Sequence, residues 1–231
     1  MLTSVAHKRV YQPGNSETLS KDNSHYLTRV MRLKPGDHFQ IVDGEGEEVD
    51  AILGESGAIE IRSRKRPDRE ISYEIRLFPA LTKGDRIENL IEKAVELGAL
   101  RISPLITERC VVGIPSANKI ERWRKIAISA MLQCGGCVLP VIDEPIKTSE
   151  IPVPYENTIS VILHEVPLAV SLNKLPEIKH RLYIASGPEG GFSDKEVEDF
   201  QGKGWQPVWL GKRLFKADTA PICALSAILM K

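Results

Sequence analysis

Long apolar runs are missing from this sequence. No stretch approaches the roughly 18–20 residues that a membrane-spanning helix needs, so no membrane partner is expected. Met1–Gln12 carries basic side chains with no apolar segment behind them, which argues against a secretory signal. Cysteine is scarce, four in 231 residues, too few for a disulfide framework; a reducing, cytoplasmic location is the expectation. Cys134 and Cys137 form a CxxC, but no second CxxC or HxxxH completes a tetrahedron. No metal is therefore expected, and unpaired thiols are the favoured reading. Net charge is missing too, since 31 Lys and Arg balance 31 Asp and Glu. A zero sum neither supports nor excludes a nucleic-acid partner, because a neutral total can hide a basic face. Repeats and low-complexity tracts are absent, and 42% hydrophobic with 27% charged residues suits a globular chain.

What is present falls into two rhythms. Residues 1 to about 70 read as short strands: His38–Asp43 and Glu47–Leu53 flank an Asp-Gly-Glu-Gly hairpin signal, and Ala58–Ser63 alternates next. A helix near Lys21–Leu33 precedes them, with Tyr26, Leu27, Val30 and Met31 on one face and Pro35-Gly36 as its stop. This predicts a small sheet or barrel-like domain over 1–70. The basic run Arg62–Arg69 reads as a linker, either solvated or touching an RNA backbone. Over 71–231 apolar runs alternate with helical patterns: Tyr73–Leu81, Arg86–Leu97, Arg101–Ile106, Ala117–Gln133, Thr158–Leu163, Arg181–Ala185, Asp194–Gly202, Val208–Leu210 and Ala220–Met230. That alternation predicts an α/β domain with a mostly parallel sheet covered on both faces. Ligands then belong beyond the carboxyl ends of the strands, where the βα loops gather.

Two of those loops stand out. Tyr183–Ser186 runs into Gly187-Pro-Glu-Gly-Gly191, after which Ser193 and Glu196 form an S-x-x-E capping box. Three glycines at a strand-to-helix turn let backbone approach a ligand closely. The Walker Lys-Ser/Thr and the dinucleotide fingerprint are both missing, and Glu189 repels phosphate while suiting a cation such as a sulfonium or an amine. A plain tight turn is the alternative. The second loop, Trp209–Ala220, brings Lys212, Arg213 and Lys216 beside Gly211; Asp218 and Thr219 resemble a helix N-cap. A third run ends at Leu163-His164-Glu165, where a lone histidine after a strand is more often structural than catalytic.

Gly187-Pro-Glu-Gly-Gly-Phe-Ser193, followed by Leu210-Gly-x-Arg-Leu214, resembles the knotted SPOUT methyltransferases and, within them, the RsmE family, which methylates N3 of a uridine in 16S ribosomal RNA. The resemblance extends over nearly the whole chain. His25-Tyr-Leu-x-x-Val-Met-Arg32, Lys34-Pro-Gly-Asp37 and Asp43-Gly-x-Gly46 are similar to the family's PUA-like β-barrel. Lys93-Ala-x-Glu-Leu-Gly98, Pro104 to Arg109, Arg122-Trp-x-Lys-Ile126 and Gln133-Cys-Gly135 are similar to the first half of its catalytic domain. Lys216 and Asp218 stand where the family usually has arginine and glutamate, and Gly136-Cys137 where it tends to have an arginine.

The resemblance implies a C-terminal trefoil knot, an exception to the rule that chains do not thread loops. It implies S-adenosyl-L-methionine bound in a bent form by Leu163, His164 and Glu165; by Gly187, Pro188, Glu189, Gly190 and Gly191; and by Leu210, Gly211, Lys212, Leu214 and Ala220. It implies RNA contacts at Arg9, Arg29, Arg32, Lys34 and Arg109, a homodimer, and the small ribosomal subunit as partner. Because the uridine N3 proton must leave, Arg213 and Lys216 are the candidates to stabilise the developing negative charge. Rival readings are another SPOUT enzyme, acting on transfer RNA or ribose, and a non-catalytic RNA-binding or ribosome-assembly protein.

Overall fold

The computed structural model describes residues 8–14, 18–164 and 170–230. The chain divides into two compact units. The segment up to Glu70 is joined by Ile128–Leu139, while Ile71–Ala127 and the residues from Pro140 onward form the second. A single cut at residue 70 thus leaves out Ile128–Leu139, which packs with the first unit.

In the first unit, β1 (Arg9–Tyr11) is followed by a short helix α1 (Lys21–His25), and then by β2 (His38–Val42), β3 (Glu48–Leu53) and β4 (Ile59–Lys65). The sheet runs β1-β2-β3-β4, with β1 parallel to β2 and the rest antiparallel. The hairpin expected at Asp43 forms because its carboxylate accepts the Glu45 and Glu47 amides at 2.7 and 2.9 Å. The helix differs from expectation. Ser20 caps α1, but Tyr26–Val30 continues it as a π-helical turn, and Arg32, at φ 57, ends it. Bonding from i to i+5 turns side chains differently from the α template. Leu27 is fully buried, whereas Tyr26 and Val30 are 44% and 60% exposed, so the four apolar residues do not share one buried face.

The basic run after β3 is not a free linker. Arg62–Lys65 completes β4; Arg64 pairs with Glu47 at 2.8 Å, and Arg66 donates to the Glu45 carbonyl at 2.9 Å. Lys65 and Arg69 both reach Glu48, which is buried at the start of β3. Arg9 meets the same carboxylate at 2.9 Å, with the two side chains only 2% and 1% exposed. Arg9 also donates to the Leu132 carbonyl at 3.0 Å and to Cys137 Sγ at 3.3 Å. This charge cluster ties Ile128–Leu139 to the sheet, which is why the segment belongs to this unit. Burial alone raises the Glu48 carboxyl, but hydrogen bonds from Lys65 and Arg69 and the charges of Arg69 and Arg9 outweigh it and hold it below its ordinary value. Cys137 is a buried thiol pushed up chiefly by burial, and Cys134 is exposed; neither is in a disulfide. No group of three or more metal-ligating side chains occurs among the described residues.

The second unit carries a seven-stranded, wholly parallel sheet. Its strands are β5 (Glu74–Pro79), β6 (Arg101–Ile102), β8 (Val141–Ile142), β10 (Thr158–Leu163), β11 (Val170–Ser171), β12 (Arg181–Ser186) and β13 (Gln206–Trp209), in the order β11-β13-β10-β12-β5-β6-β8. The apolar run expected over Arg101–Ile106 is split at Ser103-Pro104. Proline supplies no ladder donor there, and β7 (Leu105–Ile106) pairs instead with β9 (Ile146–Lys147). Helices α2 (Arg86–Glu96), α3 (Ala117–Cys134, of which the part from Ile128 belongs to the first unit), α4 (Asp194–Gly202) and α5 (Thr219–Leu229) connect or follow the strands. α2 buries Ile87, Leu90, Ile91, Ala94 and Val95, and α5 buries Ala224, Leu225 and Ile228. Phe78, Tyr183, Phe200 and Trp205 form a core of edge-on aromatic contacts, with Phe78 and Trp205 centroids 5.3 Å apart. That core lies directly beneath the loop that follows β12. No helix among the described residues is long and apolar enough to cross a membrane.

Candidate functional site

Three strands end side by side in the middle of the sheet: β13, β10 and β12. The loops that leave them enclose a cavity of about 560 Å³. That volume suits a small-molecule ligand, and its place at the carboxyl edge of a parallel sheet is where such ligands bind.

The loop after β12 is held in shape from several sides. Gly191, at φ 69, closes a turn by donating to the Pro188 carbonyl at 2.9 Å. Gly187 has a different reason to be glycine: a Cβ there lies 3.0 Å from the Phe192 nitrogen and 3.1 Å from the Gly191 carbonyl carbon. The capping box forms as expected, Ser193 N–H donating to Glu196 at 2.9 Å and Glu196 N–H to the Ser193 hydroxyl at 3.3 Å. Glu196 is 5% exposed and also accepts the Glu108 amide at 2.9 Å and the Thr148 hydroxyl at 3.1 Å. One carboxylate thus joins three segments under the loop. From above, Arg109 donates one Nη1 to the carbonyls of Gly190 (2.9 Å) and Phe192 (3.2 Å).

The cavity wall gathers residues from all three loops. Leu163 and His164 come from the first; Gly187, Pro188, Glu189, Gly190 and Gly191 from the second; Leu210, Gly211, Leu214 and Ala220 from the third. Arg213 and Lys216 share that wall, exposed and without an ion pair among the described residues. Lys212 is exposed and off the wall, and Glu165 lies outside the described residues. Asp218 occupies the N-cap position of α5 without making a side-chain cap bond, and its buried Oδ1 has no partner. An acceptor left open between wall residues Ala217 and Ala220 fits a ligand with hydroxyl or amino donors.

The RNA candidates separate. Arg29, Arg32 and Lys34 are exposed on the first unit. Arg9 is interior, neutralised by Glu48, and offers nothing to a surface ligand. Arg109 lies on the cavity wall as a clamp on the glycine loop. Sequence reasoning missed Arg86, which opens α2 and pairs with Glu189 at 2.7 Å on the cavity wall, 103 positions away. Its position just past the carboxyl end of a predicted strand was the signal available. Ser186, Phe192, Val208, Phe215 and Ala217 were also missed as wall residues.

Comparison with known proteins identifies the class. A family model for an RNA methyltransferase domain matches residues 69–229, and one for an RNA methyltransferase PUA domain matches residues 19–64. The class is thus an RNA methyltransferase carrying a PUA domain. Ribosomal RNA small subunit methyltransferase E of Synechocystis sp. is 35% identical over 91% of this chain and 72% of its own length; that of Buchnera aphidicola (from Schizaphis graminum) is 31% identical over 93% and 90%. The crystal structure of the Neisseria gonorrhoeae ribosomal RNA small subunit methyltransferase E bound to S-adenosyl methionine superposes with a TM-score of 0.87, at 30% identity, over 96% of this chain and 97% of that one. The chain belongs to the ribosomal RNA small subunit methyltransferase E family.

Proposed function

We propose that this chain transfers the methyl group of S-adenosylmethionine to N3 of a uridine in 16S ribosomal RNA. The observation that carries the reading is the convergence of the 187–191 and 210–217 loops on one cavity, in a chain of this family. When bound, the cofactor supplies an electrophilic methyl group on a sulfonium centre. The main chain of Gly187–Gly191 and the apolar wall of Leu163, Val208 and Leu210 hold it, with Asp218 Oδ1 as an acceptor at the edge. Arg213 and Lys216 then face the target base. Their charges favour the deprotonated form of N3, which, once its proton has passed to water, would take the methyl group as the sulfur leaves as a neutral thioether.

The base must leave its stack to expose N3, so a loop or flipped nucleotide is the expected target. On the first unit, Arg29, Arg32 and Lys34 beside exposed Tyr26 and Val30 offer cations and an aromatic face for single-stranded RNA. The insertion of β13 between β10 and β11 supports reading the C-terminal segment as a trefoil knot. Exposed Leu214 and Phe215 on the cavity wall support a homodimer, and a ribosomal substrate supports a cytoplasmic location.

The test is methyl transfer from labelled cofactor to small subunits that lack the modification, followed by nucleoside identification. The expected product is 3-methyluridine; label on ribose or another base overturns the reading. Arg213→Ala is expected to slow turnover by about 100-fold while changing cofactor affinity less than about threefold. Equal losses in both remove Arg213 from the chemistry.

A further inference from the structure

Glu189 is the one described carboxylate on the cavity wall, and it does not stand alone: Arg86 pairs with it at 2.7 Å, the two side chains being 43% and 37% exposed. A lone cation arriving at Glu189, such as a sulfonium, would have to displace Arg86 and leave a guanidinium without its counter-charge. A zwitterion does better. Its ammonium takes Glu189, its carboxylate takes Arg86, and one ion pair is exchanged for two. The other wall cations are less suited to that carboxylate. Arg109 is occupied by the carbonyls of Gly190 and Phe192, and Glu189, the one described carboxylate on the wall, pairs with Arg86 and not with Arg213 or Lys216. The part of the wall supplied from β10, β13 and α5, with Leu163, Val208, Leu210 and Ala220, offers apolar surface suited to an adenine ring.

We infer that Arg86 and Glu189 form a receptor for the amino-acid end of the cofactor, Arg86 binding the α-carboxylate and Glu189 the α-ammonium. This rests on the cofactor reading above. It assigns a function to Arg86 and fixes which way round the ligand lies, its amino-acid end at the mouth of α2 and its adenosine toward the strand ends. The receptor is pre-charged: the pair holds both groups in place until a zwitterion separates them, so ligands lacking either charge gain nothing from it.

Calorimetric titration with two probes tests this. S-adenosylhomocysteine carries the amino-acid end, and 5′-methylthioadenosine keeps the nucleoside and thioether without it. Arg86→Ala and Glu189→Gln are each expected to weaken S-adenosylhomocysteine binding by about 10- to 100-fold while leaving methylthioadenosine within about twofold. Unchanged methylthioadenosine affinity also shows that the glycine loop has kept its shape. If both probes weaken together, the pair only braces the loop and the inference is overturned. It is equally overturned if the unaltered protein binds the two probes alike, or if neither variant changes S-adenosylhomocysteine binding. Failure of the unaltered protein to bind either probe would overturn the cofactor reading itself, a distinct result.

Discussion

Gly187→Val is expected to weaken S-adenosylmethionine binding by about 100-fold or more, read by calorimetry, with the parallel sheet still folded. The reason is backbone proximity. The missing side chain leaves room for the Phe192 nitrogen at 3.0 Å and the Gly191 Cα at 3.2 Å from an ideal Cβ. These are main-chain atoms, so they cannot swing aside as a flexible side chain would. Any displacement pushes the 187–191 loop out of the shape fixed by the Gly191-to-Pro188 hydrogen bond and the Arg109 clamp. Gly191→Ala acts through a different property: its φ of 69 is left-handed, which costs an L-residue about 1–2 kcal/mol, or roughly tenfold in affinity if the cost falls on the bound form. Retained affinity in Gly187→Val would show that the loop main chain does not shape the binding site.

Glu48→Ala is expected to destabilise the first unit by about 3–5 kcal/mol, because it leaves the buried Arg9 guanidinium without a counter-charge. Replacing both partners together, Arg9→Met with Glu48→Leu, is expected to cost much less, since no buried charge remains. The pH dependence follows from the direction of the Glu48 shift. Its folded-state value is lowered from the ordinary 4.5, so its contribution is present above that value and is lost as pH falls through the folded one. The stability difference between the unaltered protein and Glu48→Ala is therefore expected to shrink on acidification below about pH 4.5. Asp143 is also held low but lies in the other unit and remains in the variant, so it cancels in the difference; Asp50 shares Lys65 and Gln40 with Glu48, so the difference reads the Glu48–Asp50 pair together. Urea denaturation across pH 3–7 measures it; a difference that grows on acidification contradicts the role.

Elements whose signals are local were legible in the sequence. Thr158–Leu163 and Asp194–Gly202 have their expected ends, the first because a β-branched apolar run is bounded by polar residues, the second because the Ser193–Glu196 box is a property of four adjacent residues. The two glycine loops were legible as chemistry because glycine and charge cluster there within a dozen positions. What escaped was long-range. Arg9 and Glu48 are 39 positions apart, and nothing near Arg9 marks it as interior. The basic run Arg62–Arg69 reads as a linker, solvated or touching RNA, because its acidic partners lie on neighbouring turns and strands. Arg86 and Glu189 meet only after the sheet has brought α2 beside the β12 loop. The two-residue strands β6 to β9 hold too few side chains to show a period. The π turn at Tyr26–Val30 broke the helical template on which the one-face expectation rested.

The most direct measurement is amide chemical-shift mapping of the nitrogen-15-labelled protein during titration with S-adenosylhomocysteine. Saturating shifts are expected at the Gly187, Gly190, Gly191 and Gly211 amides together, at one equivalent per chain. Shifts confined to the first unit, or binding that leaves these four amides unmoved, would contradict a cofactor held by the glycine turns.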